Sequence, residues 1–203
     1  MKLFYAPGAC SLSPHIALRE AGLDFQLEKV DPAAGTTESG LAYATINAKG
    51  YVPALQLGDG QVLTEGAAIV QYIADLAPDS GLAPAPGSLA RTRVQEHLNY
   101  LASEVHKAFS PLFRSTTSED GRETARANVR HQLDFIEQTL NDGRAFLAGD
   151  TFSVADAYLF VVATWTKPTG IGLDTWPNLK GFVERMALRP TVQAALQAEG
   201  LAA

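Results

Sequence analysis

Alternating and clustered apolar residues near the start of the chain predict a strand, a helix and a second strand. The run from Lys2 to Tyr5 is apolar and aromatic, and the turn pair Pro7-Gly8 ends it. The following residues have helical composition up to Gly22, a residue type that often caps a helix in the left-handed conformation. Residues 24–30 then alternate between apolar and polar positions. These three elements predict a βαβ unit with a right-handed crossover.

A hairpin and another helix are predicted after a Gly- and Thr-rich loop and a weak short helix at 41–46. Residues 51–57 and 61–63 alternate around the turn Gly58-Asp59-Gly60, as hairpin strands do. Residues 67–76 carry apolar side chains at helical spacing. The element order in this half of the chain is therefore β-α-β-α-β-β-α. We expect an open four-stranded sheet of mixed direction with helices flanking it.

Proline and glycine dominate residues 78–87, which can neither continue a helix nor form a central strand. We expect this stretch to be a linker between an α/β domain at 1–77 and an all-helical domain at 88–203. In the helical domain, Pro111 should kink or end the first long helix, which begins near Ser88. The remaining expected helices cover approximately 118–140, 153–165, 178–187 and 191–199.

Composition indicates a globular chain and excludes some classes of partner. The hydrophobic content of 46% in 203 residues is ample for folded cores, while a net charge of −6 with scattered basic residues disfavours nucleic acid. No stretch approaches the roughly 20 apolar residues that a membrane span requires. One cysteine cannot form an internal disulfide, and the N-terminus lacks a signal-peptide pattern. We therefore expect a cytoplasmic protein with no membrane or nucleic-acid partner.

Cys10, the single cysteine, lies where the first helix is predicted to begin. Pro14 has no N–H and is tolerated only in the first helical turn, so the helix should start between residues 10 and 13. Unpaired N–H groups and the helix dipole favour a thiolate there. A functional thiol is preferred over the alternative, a small buried hydrophobe. Ser11 either caps the helix or directs its hydroxyl to a ligand, and Ser13 replaces the second cysteine of a dithiol enzyme.

Two further features could form one site with Cys10. A cis Val52-Pro53 bond would turn the Val52 backbone outward to pair with an extended peptide, whereas an ordinary strand-start proline would not. Glu65-Gly66 opens another helix, whose N–H groups suit a carboxylate while the Glu65 side chain suits an amine. The glutamate could instead only complement the helix dipole. Together the three features predict a pocket for a small zwitterionic peptide with its thiol near Cys10.

In the helical half, a polar stripe at three- and four-residue steps is either solvated or turned towards this pocket, and it comprises Asn99, Ser103, His106 and Ser110. In the second case, Lys107 would add a donor beside the stripe. Core packing is the preferred role for Phe160 and Trp165. An aromatic and cationic cluster could nevertheless line an apolar cavity for a substrate, and its members are Phe109, Phe113, Trp165 and Lys167.

Ser153 and Asp156 have the spacing of a capping box, so a folding role is preferred for Asp156 over that of a catalytic acid. Three other histidines have no comparable context, and they are His15, His97 and His131. No pair of His or Cys residues stands at ligand spacing, so we expect no metal site.

The residues with these features resemble the bacterial beta-class glutathione S-transferases. The matching segments are Tyr5-x-Pro-Gly-x-Cys10-Ser11-Leu-Ser, Gly50-Tyr-Val52-Pro53-Ala-Leu, Leu63-Thr-Glu65-Gly66, Asn99-Tyr, Glu104-x-His106-Lys107 and Ser153-Val-Ala-Asp156-Ala-Tyr. The resemblance covers essentially the whole chain. It implies a glutathione transferase fold, with an α/β thioredoxin-like N-terminal domain and an all-α C-terminal domain. It also implies a homodimer, glutathione as co-substrate and a cis peptide before Pro53.

The resemblance further implies a role for each matching residue. Cys10, Ser11 and His106 would surround the glutathione thiol with Tyr5 nearby, and Cys10 could form a mixed disulfide with glutathione. The implied glutathione-binding residues are Val52, Pro53, Glu65, Gly66, Asn99, Lys107 and Glu104. In this family Val52 pairs with the cysteinyl backbone. Glu65 with Gly66 receives the γ-glutamyl end, and Glu104 reaches the site of the other subunit.

Two departures from the family pattern concern glutathione affinity. The loop lysine that usually contacts the glycyl carboxylate is replaced by Gly35, and no lysine lies between Lys29 and Lys49. Losing such a charge-assisted bond costs about 1–3 kcal/mol, so we expect weaker binding than is typical. Gly66 stands where many members have serine, which removes a hydroxyl and leaves the N–H.

Three functions remain open from the sequence. The first is a transferase that conjugates the glutathione thiol to small electrophilic, largely apolar substrates, as in detoxification. The second is a glutathione-dependent reductase of disulfides or peroxides that works through a Cys10 mixed disulfide. The third is a non-catalytic interaction module of the same fold. Intact Cys10, Ser11, Glu65 and His106 argue against the third function.

Overall fold

A computed structural model describes residues 1–201 and divides the chain into two compact units. The first unit contains residues 1–84 together with residues 188–201, and the second contains residues 85–187. The first unit is built on a sheet whose strands are β1 (Lys2–Tyr5), β2 (Gln26–Asp31), β3 (Thr36–Thr37), β4 (Ala54–Gln56) and β5 (Val62–Thr64).

The strand order is β3-β2-β1-β4-β5, with β1 parallel to β2 and every other neighbouring pair antiparallel. The mixed direction is confirmed, but the predicted count of four strands is wrong. The additional strand, β3, has two residues, and Thr37 pairs with Val30 of β2. A strand this short has no alternating pattern, so the sequence predicts only a loop there.

Three helices accompany the sheet in the first unit, and they are α1 (Leu12–Glu20), α2 (Gly66–Leu76) and α8 (Pro190–Ala198). Leu3 and Leu55 face each other across β1 and β4, and both are fully buried. Ile16 of α1 and Ile69 of α2 are also fully buried. The central strands and the apolar faces of the helices therefore form the core of the first unit. Cys10 follows shortly after the end of β1.

The chain from Leu188 groups with the first unit, whereas the sequence assigned it to the helical domain. Arg189 donates to both carboxylate oxygens of Glu20 at the end of α1, at 2.7 and 3.0 Å. Val192 and Ala195 of α8 are fully buried. Helical periodicity identifies a buried face but not the neighbour against which that face packs, so the sequence could not make this assignment.

The second unit is all-helical, and its helices are α3 (Leu89–Tyr100), α4 (His106–Phe109), α5 (Glu119–Leu140), α6 (Val154–Thr164) and α7 (Pro177–Ala187). A π-helical turn at Leu101–Val105 joins α3 to α4, and a 3₁₀ turn at Ser110–Phe113 follows α4. Pro111 lies in that final turn, which confirms that the long helical segment ends there. No helix within residues 1–201 is long and apolar enough to cross a membrane.

Helix α6 begins with the expected capping box. The Ser153 side chain accepts the Asp156 N–H, and the Asp156 side chain accepts the Ser153 N–H. Asp156 is fully buried. Its carboxylate accepts hydrogen bonds from the Ser153 N–H, the Ser153 hydroxyl and the Leu147 N–H, each at 2.8 Å. Burial raises the pKa of Asp156 to about 6, although the three donors oppose that shift. The contacts support the folding role that the sequence favours.

Candidate active site

Cys10 lies in the turn between β1 and α1, two residues before the helix begins. Helix α1 starts at Leu12, so Pro14 falls in its first turn, as predicted. The partly buried thiol of Cys10 donates to the main-chain carbonyl of Val52, with 3.4 Å between sulfur and oxygen. The single cysteine therefore lies against the loop that leads into β4.

Ser11 is fully buried and bonded to the main chain rather than presented to a ligand. Its hydroxyl oxygen accepts the Ala6 N–H and donates to the Ala6 carbonyl, both at 3.2 Å. The side chain makes no hydrogen bond to the helix N-terminus. Both sequence expectations for this hydroxyl, a helix cap or a ligand donor, are therefore wrong. A serine hydroxyl has one proton, and here the proton closes the turn that precedes Cys10.

The Val52-Pro53 peptide is cis, as expected, and two buried side chains hold the residue before it. The Tyr43 hydroxyl and the Asn47 amide donate to the Tyr51 carbonyl, at 3.3 and 2.7 Å. Sequence reasoning did not identify Asn47. Its position three residues before Gly50 was the available signal, because asparagine side chains commonly bond to the backbone two residues later in turns. Here the Asn47 oxygen accepts the Lys49 N–H at 3.1 Å.

Glu65 has an unusual backbone conformation at the start of α2. Its φ of 69° makes it the one non-glycine residue with positive φ within residues 1–201. Such a conformation costs of order 1–3 kcal/mol and is typical of binding and catalytic sites. The Glu65 carbonyl accepts the N–H groups of Ala68 and Ile69, so the helix holds the residue in place. The exposed Glu65 carboxylate contacts Lys49 at 2.5 Å.

Tyr5, the last residue of β1, is buried, and its ring centroid lies 6.3 Å from that of His15. Burial raises the pKa of Tyr5, and the negative charges of Glu199 and Glu38 raise it further. The hydroxyl therefore remains protonated at neutral pH.

A buried ionic network lies behind the Cys10 turn and involves residues far apart in sequence. The Glu199 carboxylate contacts His15 Nδ1 at 2.8 Å and accepts the Gly8 N–H at 3.0 Å. Arg19 donates to His15 Nε2 at 2.9 Å, so that nitrogen accepts and Nδ1 carries the proton shared with Glu199. Sequence reasoning found no partner for His15 because Glu199 lies 184 positions away.

His106 of the helical unit is oriented by two aromatic residues of that unit. Its Nδ1 contacts the Tyr158 hydroxyl at 2.8 Å, and its ring meets Trp165 edge to face with centroids 4.8 Å apart. Any contact of His106 with a substrate would therefore use Nε2. Of the other predicted polar residues of this segment, Ser110 is half-buried and four are exposed, namely Asn99, Ser103, Glu104 and Lys107.

The predicted aromatic cluster forms within the helical unit, but its members are not equally accessible. The Trp165 ring lies 5.7 Å from Phe109 and 5.5 Å from Phe113. Phe109 is fully buried, so its expected role as a cavity-lining residue is wrong and it serves the core. Phe113 is 54% exposed, Trp165 is 8% exposed, and Lys167 is exposed. Phe113 is therefore the aromatic member of this cluster that is most accessible to a ligand.

The first unit defines a thioredoxin-like thiol site, with a cysteine before the first helix and a cis proline opposite it. Comparisons with known proteins extend this classification to the whole chain. Residues 8–76 match the family model "Glutathione S-transferase, N-terminal domain", and residues 100–190 match "Glutathione S-transferase, C-terminal domain". The chain is 48% identical over 201 residues to glutathione S-transferase GstA of Escherichia coli O157:H7, covering 99% of this chain and 100% of the relative.

Two solved structures agree closely with this fold. A sphingomonad glutathione S-transferase complexed with glutathione is 51% identical, with a TM-score of 0.96 and coverage of 100% of both chains. The beta-class glutathione S-transferase of Sphingomonas chungbukensis is 49% identical, with a TM-score of 0.96 and coverage of 99% of this chain and 100% of that one. The chain therefore belongs to the glutathione S-transferase family. The expected fold class and the resemblance to the bacterial beta class are confirmed.

Proposed function

We propose that the protein is a glutathione S-transferase that conjugates the thiol of glutathione to small electrophilic, largely apolar substrates. The observation that carries the proposal is the 3.4 Å contact between Cys10 Sγ and the Val52 carbonyl. It joins the lone thiol to a backbone segment suited to an extended, thiol-bearing peptide. The close relatives named glutathione S-transferases support the activity, and a solved relative complexed with glutathione supports the co-substrate.

The first unit offers complementary groups for the parts of glutathione. The Glu65 carboxylate suits the ammonium of the γ-glutamyl end, and the first N–H groups of α2, beginning at Gly66, suit its carboxylate. The backbone of Val52, before the cis bond to Pro53, would pair with the cysteinyl residue. These contacts would place the thiol beside Cys10 and convert binding energy into orientation for reaction.

We propose that glutathione changes the partner of the Cys10 thiol. When the cysteinyl N–H donates to the Val52 carbonyl, the Cys10 S–H can turn from that carbonyl and donate to the glutathione sulfur. This hydrogen bond stabilises the glutathione thiolate as its proton passes to solvent. The thiolate then forms the new sulfur–carbon bond with the electrophile, whose bonding pair leaves with its leaving group.

Residues of the helical unit would complete the two binding sites. In this proposal His106, oriented by Tyr158, donates to the glutathione thiolate, while Phe113 and Trp165 supply apolar surface for the electrophile. The remaining proposed contacts to glutathione and substrate come from Asn99, Glu104, Lys107 and Lys167. A glutathione analogue with an electrophile attached, bound in a crystal, would test each of these contacts directly.

A kinetic assay tests the proposed activity. We expect conjugation of glutathione to 1-chloro-2,4-dinitrobenzene at a rate that saturates with both substrates. A rate equal to the uncatalysed reaction at saturating glutathione would overturn the proposal. Retention on immobilised glutathione without turnover would then favour the interaction module instead.

A second candidate function follows from the partial exposure of Cys10, the residue that could form a mixed disulfide with glutathione. The oxidant is a disulfide between the substrate and glutathione: the Cys10 thiolate attacks its glutathionyl sulfur, and the substrate leaves as a thiol. A second glutathione then resolves the Cys10 mixed disulfide and releases reduced protein with oxidised glutathione. Assays of disulfide reduction and of conjugation in wild type and Cys10→Ala separate the two reactions. If Cys10→Ala loses disulfide reduction and keeps conjugation, the role of the cysteine is redox.

We also propose a homodimer that works in the cytoplasm in detoxification. The beta-class resemblance supports the dimer, and a reducing compartment would keep both Cys10 and glutathione as thiols. Light scattering after gel filtration should give twice the chain mass of 21.6 kDa. A particle of the chain mass at assay concentration would contradict the dimer.

A further inference from the structure

Lys49 is an exposed lysine beside Glu65, and hydrogen bonds hold both its backbone N–H and its side-chain ammonium. Its backbone N–H donates to the Asn47 side chain at 3.1 Å, which sets the turn. Its ammonium donates to the Glu65 carboxylate at 2.5 Å and to the Thr64 hydroxyl at 3.0 Å. Hydrogen bonding to Glu65 raises the pKa of Lys49, so the cation persists throughout the physiological pH range.

The charges at this corner form a pattern of opposite signs. An α-amino acid head group, such as the γ-glutamyl end of glutathione, carries one ammonium and one carboxylate. Glu65 alone would attract the ammonium and repel the carboxylate. With Lys49 at 2.5 Å, the protein presents a cation and an anion side by side, as the ligand does. An antiparallel arrangement of the two pairs brings each charge next to an opposite one.

Both side chains retain hydrogen-bonding capacity for such a ligand. The Lys49 ammonium has three N–H groups, and its contacts to Glu65 and Thr64 use two of them. Lys49 bonds one Glu65 oxygen, Oε1, so Oε2 can accept the ligand ammonium. Gly66 has no hydroxyl to offer the ligand carboxylate, which increases the importance of a nearby cation.

We propose that Lys49 is a specificity-determining residue that binds the α-carboxylate of the γ-glutamyl group and selects thiol peptides with a zwitterionic head. This inference rests on the proposed glutathione-dependent function. It gives the Glu65–Lys49 pair a joint role, in which Glu65 binds the ammonium and Lys49 binds the carboxylate.

The test compares Lys49→Met with wild type on two thiol substrates at saturating electrophile. One is glutathione, and the other is 4-aminobutanoyl-cysteinyl-glycine, which keeps the ammonium and lacks the α-carboxylate. We expect Lys49→Met to raise the KM for glutathione about tenfold, the usual effect of losing one charge-assisted bond, with kcat within twofold. The KM for the analogue should not change. Lys49→Arg should preserve the preference for glutathione.

Lys180→Met is the matched control, because Lys180 makes an exposed ion pair of the same kind with Asp174, at 2.6 Å on another part of the chain. It should leave both KM values unchanged. Equal losses on glutathione and the analogue would overturn the inference, since Lys49 would then only position Glu65. An unchanged KM for glutathione would also overturn it.

A third substrate, γ-glutamylcysteine, lacks the glycyl residue of glutathione. It therefore tests whether Lys49 binds the glycyl carboxylate instead of the γ-glutamyl α-carboxylate. If Lys49→Met weakens glutathione but not γ-glutamylcysteine, Lys49 binds the glycyl carboxylate and the inference is wrong. Failure of the wild-type protein to use any of these thiols would contradict the proposed function itself, so the two failures are distinguishable.

Discussion

Gly66 begins helix α2 without a side chain, and the space beside it can accept one. A Cβ built at this position meets only the Pro53 ring, at an ordinary contact distance of 3.7 Å. We expect Gly66→Ser to add a donor for the γ-glutamyl carboxylate and lower the KM for glutathione about two- to tenfold. Steady-state kinetics at varied glutathione measures this change.

The matched control is Gly66→Ala, which fills the same space and adds no hydroxyl. It should stabilise the fold by about 0.4–1 kcal/mol, because alanine restricts the unfolded chain, and leave the KM unchanged. If both variants lower the KM equally, preorganisation of the helix start accounts for the gain and the hydroxyl does not.

The His97 side chain predicts a pH dependence of stability. Burial lowers its pKa, so the folded protein favours the neutral ring more than the unfolded chain does. Above a pH of about 6.5, the pKa of histidine in the unfolded chain, the His97 ring is neutral in both the folded and the unfolded state. Its full contribution to the free energy of unfolding is then present. As pH falls below that value the unfolded chain binds the proton first, and the free energy of unfolding decreases.

Urea unfolding at pH 5.5 and pH 7.5 measures this effect in wild type and His97→Gln. We expect the wild type to lose more stability on acidification than the variant, which has no titrating ring. An equal or larger loss in His97→Gln would contradict the assigned direction of the pKa shift.

Single residues show where sequence reasoning succeeds and where it stops. Cys10 could be placed at the start of a helix because Pro14 restricts that start by local sterics. The burial of Ser11 could not be predicted, because it depends on which neighbours the fold brings close. Asn47 was within reach of turn chemistry, whereas Lys49 required the position of Glu65 in three dimensions.

At the scale of one element, the capping box of α6 predicts a large loss of stability. Asp156→Ala removes the acceptor of three hydrogen-bond donors at a fully buried position. The donors are the Ser153 N–H, the Ser153 hydroxyl and the Leu147 N–H. We expect the free energy of unfolding to fall by about 3 kcal/mol, with activity retained by the folded fraction. Urea unfolding and active-site titration of the same samples measure both quantities.

Ser153→Ala is the graded control for this element, since it removes one of the three hydrogen bonds and should cost about 1 kcal/mol. Loss of turnover in Asp156→Ala with unchanged stability would support a catalytic acid and contradict the folding role.

Helix α8 and its last contacts support a second prediction for an element. The Glu199 carboxylate joins the end of this helix to His15 and to the Gly8 N–H in the turn before Cys10. Glu199→Ala removes the acceptor of the buried His15 Nδ1 proton and of the Gly8 N–H, so we expect a loss of about 3–5 kcal/mol. Thermal and urea unfolding measure it.

Glu184→Ala removes an exposed glutamate of α7 and should change stability by less than about 0.5 kcal/mol. If Glu199→Ala is as mild as this control, the buried network does not hold the helix.

Whole elements were predictable to the extent that their patterns are local. The spacing of apolar residues identified α2, α5, α6 and β5 within one or two residues, and it placed the start of β4 three residues too early. The pattern failed at β3, which has only two residues, and in assigning the chain after Leu188. In both cases the deciding information is a partner strand or helix that periodicity does not identify.

At the scale of the whole molecule, the fold could be recognised before the contacts that build its site. The order of strands and helices, with a linker and an all-helical second half, agrees with the two family domains matched at residues 8–76 and 100–190. The contacts around Cys10 connect residues 42 positions apart, and those around His15 connect residues 184 positions apart. Long-range pairs of this kind follow from folding and have no local signature in the chain.

The central claim is that glutathione binds to the α/β unit with its sulfur at Cys10. A crystal structure of the protein with glutathione tests it most directly. We predict the glutathione sulfur within hydrogen-bond distance of Cys10 Sγ, the cysteinyl backbone paired with Val52, and the γ-glutamyl head at Glu65 and Gly66. A sulfur away from Cys10, or a tripeptide bound elsewhere on the chain, would contradict the account.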